Sequence, residues 1–392
     1  MTTDTDPRPT RRPRDRKAKI VAAAVECFHR SGYHATGMEE IAKAVGITAG
    51  SLYWHFRGKQ ELLDQVVLDG LDMALAAVGE EEDLDAVLRS LASFSLENRA
   101  FAALWEKEAI HLSPVIRREV QERHTALAGR VSAAVRAARP GLDARDAELL
   151  AWAVLGVLAG PSYNNIELPR PVFDHLLAGL AGNVCQVEGL PPAGPPGATA
   201  PRPVLTHASR REALLSASVR LFAERGFPAV SMDDIGKAAG ISGPAVYNHF
   251  ASKSDLLSTA LHRATGALQF DLDLTLATSA SAHQALERTV RALSTVNLAS
   301  GGSAGLLHAI PHLPDADREA LHRAQLEYAT EWTGLVRACR PDMRQTEAQI
   351  AVHCVLTLVR FLAQMPALRC RTDPAQTLVD LGLQTLGLRH DG

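Results

Sequence analysis

Apolar residues recur at helical spacing along most of this 392-residue chain. On the first predicted helix they lie three and four positions apart, as on the buried face of an α-helix; they are Ile20, Val21, Ala24, Val25 and Phe28. Sustained alternation of apolar and polar residues, which is typical of half-buried strands, does not occur in the sequence. The pattern therefore predicts an all-α fold.

The chain contains an internal repeat, because residues 32–63 recur without a gap as residues 226–257. Farther along, residues 135–140 recur as 336–341, at a spacing that makes the second copy a net seven residues longer. Identical positions in the first segment include Gly32 and Gly226, Met38 and Met232, Ile41 and Ile235, and Gly46 and Gly240. A repeat of this length indicates that two complete modules were fused in one chain.

Proline and glycine separate the two modules. Residues 190–203 contain six prolines, and no packed element tolerates that density, so we predict a linker. An extended polyproline II segment of this length spans on the order of 40 Å. It can return from the far end of one helical module to the start of the next.

A helix-turn-helix is predicted near the start of each module. Residues 39–45 predict a short helix, Gly46 a turn, and residues 48–56 a second short helix. The Thr48 hydroxyl suits an N-cap, and Ser242 is expected to act in the same way in the second module. Such a pair of helices presents the start of its second helix to base edges in the major groove.

Both modules carry Gly-aromatic, Met-x-x-Ile-(Ala/Gly)-Lys-Ala, Gly-Ile-(Thr/Ser) and Tyr-x-His-Phe-x-x-Lys-x-x-Leu-Leu, in this order. This series closely resembles the DNA-binding domain of the TetR family of bacterial transcriptional regulators, over residues 16–65 and 209–259. The rest of each half fits that family's ligand-binding domain by length and helicity. The resemblance implies dimeric DNA binding that a small molecule weakens. For two units in one chain, we expect an intramolecular pseudo-dimer.

The predicted organisation follows from the repeat and the resemblance. It consists of a basic N-terminal arm (1–15), a first helix-turn-helix domain (16–65), a first regulatory helical domain (66–189), the linker (190–203), a second helix-turn-helix domain (204–259) and a second regulatory helical domain (260–392).

The resemblance places equivalent residues of each helix-turn-helix against DNA. In the first they are Thr48, Ala49, Gly50, Ser51, Tyr53, Trp54 and His55, with Lys59 reaching a phosphate. In the second they are Ser242, Gly243, Pro244, Ala245, Tyr247, Asn248 and His249, with Lys253 in the place of Lys59. Hydroxyls and amides can bond phosphates or base edges, and lysine adds charge at a helix start that already favours an anion. For the two histidines, a packing role stays open beside DNA contact.

The two recognition helices differ in sequence. Ser51 is replaced by Ala245, and Trp54 by Asn248. Because different side chains favour different base edges, we expect the two units to prefer unlike half-sites. The hypothesis is an asymmetric operator whose half-sites lie about 34–36 Å apart.

Charge is distributed unevenly along the chain. The net charge of −3 excludes a polybasic protein, but positive residues cluster between positions 8 and 19. Such a run is usually a solvated tail, although basic arms also hold nucleic acid. Together with the resemblance, it predicts minor-groove contact by the arm, including Arg11 and Arg12.

Effector-binding candidates come from the few aromatic and polar residues on apolar helices. They are Trp105, Trp152, Tyr163, Tyr328, Trp332, His353 and Arg360. A core position is the alternative for each tryptophan. Arg360 could bind an anionic effector, pair across the dimer interface or reach the surface, since a charged group on an apolar helix needs a partner or water. The two pockets are not expected to be equivalent.

Other classes of function have less support in the sequence. The five scattered cysteines, without a C-x-x-C pair, favour a reduced cytoplasm over a disulfide framework or structural zinc. No metal or cofactor is expected, and motifs typical of enzymes, such as a nucleophile elbow or a phosphate-binding glycine loop, do not occur. The first hypothesis is a DNA-binding regulator, acting as a repressor released by a small molecule. The alternative is a ligand-sensing or scaffold protein that has lost DNA binding in one or both units.

Overall fold

The computed structural model describes residues 13–33, 35–108, 112–194, 207–299, 306 and 309–388, and the side chains of 13–15 and 105–108 are outside that description. Within these ranges the chain forms helices and turns, apart from one isolated antiparallel bridge between Ala193 and Arg371. The predicted all-α fold is confirmed.

The first repeat forms nine α-helices in the described residues. They are α1 (Pro13–Ser31), α2 (Met38–Val45), α3 (Ala49–Tyr53), α4 (Lys59–Val78), α5 (Leu84–Glu97), α6 (Arg99–Glu108), α7 (Pro114–Ala138), α8 (Ala144–Leu158) and α9 (Arg170–Val184). A 3-10 turn at Gly160–Tyr163 follows α8.

The second repeat also forms nine α-helices in the described residues. They are α10 (Arg210–Arg225), α11 (Met232–Ala238), α12 (Gly243–Val246), α13 (Lys253–Thr278), α14 (Ala282–Ala299), α15 (Asp315–Cys339), α16 (Gln345–Leu362), α17 (Pro366–Arg369) and α18 (Pro374–Thr385). A 3-10 turn at Ile310–His312 precedes α15.

Helices α7 and α15 correspond residue for residue. Both have 25 residues, and each ends within one copy of the repeated segment at 135–140 and 336–341. In contrast, α13 has 26 residues against 20 in α4. The next helix is also longer in the second copy, with 18 residues in α14 against 14 in α5, so both helices contribute to its extra length.

The chain divides into two compact units, and most contacts of each unit are between its own residues. The first comprises Met1–Ala76 and Ala100–Thr125, and contains the first head, which we define as α1 to α3. The second comprises Ala77–Arg99 and Ala126–Gly392, and contains the second head, α10 to α12. The division does not follow the boundary between the repeats, because α8 and α9 pack against helices of the second repeat.

Each head has an apolar core to which its regulatory half contributes. Phe56 and Phe250, at equivalent positions, are both buried in these cores. Val120 on α7 joins the core of the first head, and Leu321 at the equivalent place on α15 joins the core of the second. The leucine of the repeated His-Leu pair, Leu112 or Leu313, is buried in the same way. The sequence repeated outside the heads thus includes their contact with the regulatory helices.

A buried histidine on α7 predicts a pH dependence of stability. Burial lowers the pKa of His124 to about 4, below its ordinary value near 6.5. Because the unfolded chain binds this proton more tightly, the free energy of unfolding should decrease as pH falls from 6.5 to 4, by roughly 3 kcal/mol. His124→Gln, which installs the residue present at position 325 of α15, should flatten this slope in urea titrations. The exposed His175→Gln is the control, and equal slopes in both variants would contradict the assignment.

The two repeats pack together within the second unit. Helix α8 packs against α16, and α9 against α18. The Trp152 ring lies near the Phe361 ring, tilted by 47° from it, at a centroid distance of 6.2 Å. A Cβ at Gly160 would lie 2.9 Å from the Cα of Cys354, so the glycine permits a close backbone approach. These equivalent helices of the two halves form a four-helix interface inside one chain.

The second repeated segment has a structural role in each half. Arg139 Nη1 donates to the carbonyls of Cys185 at 2.6 Å and Val187 at 2.9 Å, beyond the end of α9. Arg340 Nη1 donates to the Leu386 carbonyl at 2.6 Å, beyond the end of α18. Because helix C-termini leave carbonyls without intrahelical partners, each arginine stabilises the last helix of its half.

The described start of the predicted linker, residues 190–194, is bonded to the second half. The amide of Thr372 donates to the Pro192 carbonyl at 3.0 Å, and the amide of Gly194 donates to Cys370 at 2.7 Å. The buried guanidinium of Arg371 forms an ion pair with Asp146 at the start of α8. It also donates to the Pro191 carbonyl at 3.1 Å. Residues 195–203 of the predicted linker lie outside the described residues.

Candidate nucleic-acid interface

The first head has the predicted helix-turn-helix geometry. Helix α2 ends at Gly46, whose φ of 74° places it in the left-handed region that glycine adopts without strain. The Thr48 hydroxyl accepts a hydrogen bond from the Ser51 amide at 3.2 Å and caps α3. The second short helix is shorter than predicted, because α3 ends at Tyr53.

The predicted recognition residues of the first head are largely at the surface. The Trp54 side chain is 90% exposed, and Tyr53 is exposed beside it. Leu52 and Phe56 on either side are buried, so the helix has one face in the core and one face toward solvent. Both aromatic side chains are therefore accessible to a binding partner.

In the second head, the first helix of the helix-turn-helix (α11) has a side-chain cap and the second (α12) does not, which is the reverse of the first head. Ser231 and Asp234 form a capping box on α11, and Gly240 has a φ of 69°. The expectation that the Ser242 side chain caps α12 is wrong, since it makes no such bond. Pro244 has no amide to donate, and the Ala245 amide donates to the Ser242 backbone carbonyl at 2.9 Å instead.

The helices of the second head approach each other closely at Gly236. A Cβ there would lie 2.7 Å from the Ile241 carbonyl oxygen and 2.9 Å from Val246 Cγ2. The first head has Ala42 at the equivalent place, and its side chain is buried. The two heads therefore share a fold but differ in their internal packing as well as in their surface residues.

Lys59 and Lys253, each the first residue of the helix that follows a head, are bonded to the head that precedes them. Lys59 Nζ donates to the Tyr33 carbonyl at 2.7 Å and lies 4.5 Å from the centre of the Tyr33 ring. Lys253 Nζ donates to the Phe227 carbonyl at 2.7 Å and lies 4.4 Å from that ring. Burial lowers the pKa of Lys253. Each lysine ties the start of α4 or α13 to the segment after the first helix, and the phosphate contact stays a prediction. The sequence signal for this structural role of the lysines is the aromatic residue after the first helix of each head, Tyr33 or Phe227, which occurs together with the lysine in both copies.

Two further cations lie on the first helix of each head, and the sequence alone did not single them out as site residues. Lys17 on α1 lies 5.4 Å from the centre of the Phe56 ring. Arg211, at the equivalent place on α10, lies 4.4 Å from the Phe250 ring. Both side chains are exposed at the surface. Their signal in the sequence is a positive charge at equivalent positions of the two copies.

The remaining predicted DNA contacts have varied positions. His55 and His249 are partly buried, whereas Asn248 and Pro244 are exposed. Arg11 and Arg12 lie outside the described residues. Small residues complete both recognition helices; they are Ala49, Gly50, Gly243 and Ala245.

The structure does not bring the effector candidates into one site. Trp152 is buried between α8 and α16, and Arg360 on α16 stacks over Tyr163 with its guanidinium carbon 3.9 Å from the ring centre. Among the three interpretations of Arg360, this contact favours pairing between the repeats. His353 is largely buried, which lowers its pKa. The side chain of Trp105 lies outside the described residues.

Tyr328 and Trp332 remain together on α15, with ring centres 5.8 Å apart. Both are buried in the second regulatory half. The described residues contain no group of three or more potential metal ligands. No described helix is both long enough and apolar enough to cross a bilayer.

Comparison with known proteins identifies both heads. Residues 20–66 and 214–260 each match the family described as bacterial regulatory proteins, tetR family. The chain carries the N-terminal domain of the TetR family twice, as the repeat predicted.

Individual TetR-family relatives match over one head and a little beyond. The chain is 40% identical over 70 residues to the HTH-type transcriptional regulator TtgR of Pseudomonas putida, covering 17% of this chain and 33% of that protein. It is 37% identical over 83 residues to the HTH-type transcriptional activator FasR of Mycolicibacterium smegmatis, covering 21% and 38%. The alignments thus span about one third of the length of these relatives.

Solved TetR-family structures are similar to part of the chain. A bacterial regulatory protein of the tetR family from Rhodococcus RHA1 is 25% identical, with a TM-score of 0.38, and the match covers 42% of this chain and 94% of that one.

Proposed function

We propose that the chain is a sequence-specific DNA-binding regulator of transcription, in which two unlike heads of one molecule contact an asymmetric operator. The observation that carries the proposal is the duplicated helix-turn-helix with different exposed side chains. Trp54 is exposed in the first head and Asn248 at the same place in the second. Because an indole and an amide favour different base-pair surfaces, the two heads would prefer unlike half-sites.

Packing between the repeats supports a pseudo-dimer within one chain. Helices α8 and α9 of the first half pack on α16 and α18, their counterparts in the second. Gly160 and Trp152 belong to this interface, and Arg139 and Arg340 stabilise equivalent helix ends beside it. Equivalent helices of the two halves are thus already in contact within one chain. One chain would then supply both heads, as two half-sites about one helical turn apart require.

The proposed DNA contacts combine base edges with phosphates. Ser51, Tyr53 and Trp54 in the first head, and Tyr247 and Asn248 in the second, would lie in the major groove. Lys17 and Arg211 extend the proposal to the phosphates beside each recognition helix, where positive side chains fix the register of a protein on the duplex. Thr48 uses its hydroxyl as a helix cap, so its contribution to DNA contact would be positional.

The proposed direction of regulation is the one that the TetR resemblance implies. We propose repression that a small molecule relieves, acting in the cytoplasm where the operator is. FasR, one of the relatives, is named as an activator. The alternative function is a ligand sensor or scaffold that has lost DNA binding. The exposed aromatic and cationic residues on both heads favour DNA binding over that alternative.

The mass of the complex with a minimal operator tests the proposed pairing. One 42.1 kDa chain per duplex is the expected result in native mass spectrometry or analytical ultracentrifugation. Two chains per duplex would contradict the single-chain pseudo-dimer and would point to further self-association. A chain that does not bind any duplex would leave the ligand-sensor alternative.

Deletion of residues 1–12 of the basic arm tests its predicted contact with the minor groove. Removing residues 1–12, which ends just before α1, takes away Arg8, Arg11 and Arg12. We expect weaker operator binding and a salt slope smaller by roughly 2–3, because each phosphate contact releases about 0.9 counterion. Anisotropy titrations at several salt concentrations measure both quantities. Unchanged affinity and slope would show that the arm is only a tail.

A further inference from the structure

Two polar atoms in the second regulatory half are buried without hydrogen-bond partners among the described residues. They are the phenol oxygen of Tyr328 and the indole Nε1 of Trp332, on one face of α15. Tyr328 is 8% exposed and Trp332 is 0% exposed. Buried polar groups in folded proteins are nearly always bonded, so each exception needs an explanation. The Trp332 side chain lies near the Tyr328 oxygen, but an N–H directed at that oxygen would leave the phenol O–H without an acceptor.

The first regulatory half has no such pair. Because α7 and α15 correspond residue for residue, Leu127 stands in the place of Tyr328 and Val131 in the place of Trp332. Both aliphatic side chains are buried. The two polar groups are therefore a feature of the second half alone, and the first half fills the same positions with apolar core.

The chemistry of the pair indicates what could bind there. A phenol O–H and an indole N–H are both donors, and they are one helical turn apart on the same helix. Burial raises the pKa of Tyr328, so the phenol stays protonated. Asp271 on α13 adds negative charge near the phenol, which disfavours an anionic ligand. An uncharged compound with an acceptor oxygen and an apolar body satisfies these conditions.

We propose that Tyr328 and Trp332 bind the acceptor oxygen of an uncharged, largely apolar effector, such as a ketone or ester, and that sensing belongs to the second half. This inference rests on the proposed function for its regulatory meaning. The binding itself follows from the pair of buried donors between α13, α14 and α16, the helices that pack against α15. The first half then serves as the structural partner in the interface of α8 and α9 with α16 and α18.

The test uses the full chain with acetophenone and ethylbenzene as probes, since the two differ in the carbonyl oxygen. We expect acetophenone to bind the unchanged protein at least about five-fold more tightly than ethylbenzene, as one additional hydrogen bond allows. Tyr328→Phe should remove that preference. It should leave the melting temperature unchanged or raise it, because the variant removes a buried hydroxyl that has no hydrogen-bond partner in the free protein. Leu127→Met, at the equivalent place in the first half, is the control and should keep the preference. Ligand-observed NMR titration measures binding, and calorimetry measures the melting temperature.

Two results would overturn the inference. One is equal affinity of the unchanged protein for the two probes. The other is a melting temperature several degrees lower for Tyr328→Phe, which would mean that the hydroxyl already has a structural partner. Operator binding is measured on the same preparations. Equal probe affinity with DNA binding intact rejects this inference alone, whereas discrimination without DNA binding rejects the proposed regulator and keeps the site.

Discussion

Gly236→Val is expected to disable the second head and to weaken operator binding by about 10²- to 10⁴-fold, the range lost when two linked contacts become one. The Cβ alone would lie 2.7 Å from the Ile241 carbonyl oxygen, and valine adds two more carbons to that space. Overpacking of this kind costs about 1–3 kcal/mol, and it falls directly on the contact between α11 and α12. Fluorescence anisotropy on an operator selected with the unchanged protein measures the effect.

Gly266→Val is the matched control for this variant. Gly266 lies on α13 in the same unit, and nothing lies within 4 Å of its ideal Cβ. Because glycine is a poorer helix former than valine, the control should be neutral or slightly stabilising. A Gly236→Val protein that binds the operator as tightly as the control would contradict the requirement for both heads.

Arg371→Met is expected to lower the free energy of unfolding of the second unit by roughly 3 kcal/mol, since it leaves a buried ion pair without one partner. The Arg371 side chain is 1% exposed and pairs with Asp146. It also donates to the carbonyls of Pro191 and Arg145, so one guanidinium joins the start of α8, the end of the first repeat and the turn before α18. Urea unfolding followed by circular dichroism measures the change.

Arg344→Met is the control, because it removes the same positive charge from an ion pair at the surface. Arg344 pairs with Glu347 at 2.6 Å, but its side chain is 69% exposed. Exposed pairs contribute at most about 1 kcal/mol, so this variant should unfold close to the unchanged protein. An equal decrease in the free energy of unfolding of the two variants would mean that the buried position of Arg371 between the repeats adds nothing to its contribution to stability.

The heads could be predicted from sequence because their signals are local. Glycine in the left-handed turn, a hydroxyl cap and the spacing of buried residues all lie within about 30 positions of one another. Thr48 caps its helix as predicted, whereas Ser242 does not. In the second head the Ala245 amide, which is equivalent to the Ser51 amide, donates to the Ser242 backbone carbonyl and not to the serine hydroxyl.

The regulatory halves could be predicted only in outline. Trp152 was a candidate pocket residue; it packs near Phe361 in the interface between the repeats, and its contact with an effector stays a prediction. Arg360 likewise lies over Tyr163 from the other half. Such partners are far apart in the chain, and no spacing rule connects them. Sequence did single out Tyr328 and Trp332, but only their burial without hydrogen bonds separates them from ordinary core aromatics.

The asymmetry between the halves is the most informative part of the molecule. The heads differ at their exposed residues, and α15 carries a polar pair where α7 carries aliphatic core. A duplicated protein whose copies keep their interface while diverging elsewhere can assign separate roles to its halves. Two DNA specificities and one effector site would be such a division.

Selection of random duplex DNA by the purified chain, followed by sequencing, tests the central claim most directly. The account predicts two unlike half-sites at a fixed spacing near one helical turn. Exchange of Ser51 and Trp54 for the alanine and asparagine of the second head should then alter one half-site and leave the other. A perfect palindrome, or no enrichment at moderate salt, would contradict the account of one chain with two different DNA-binding heads.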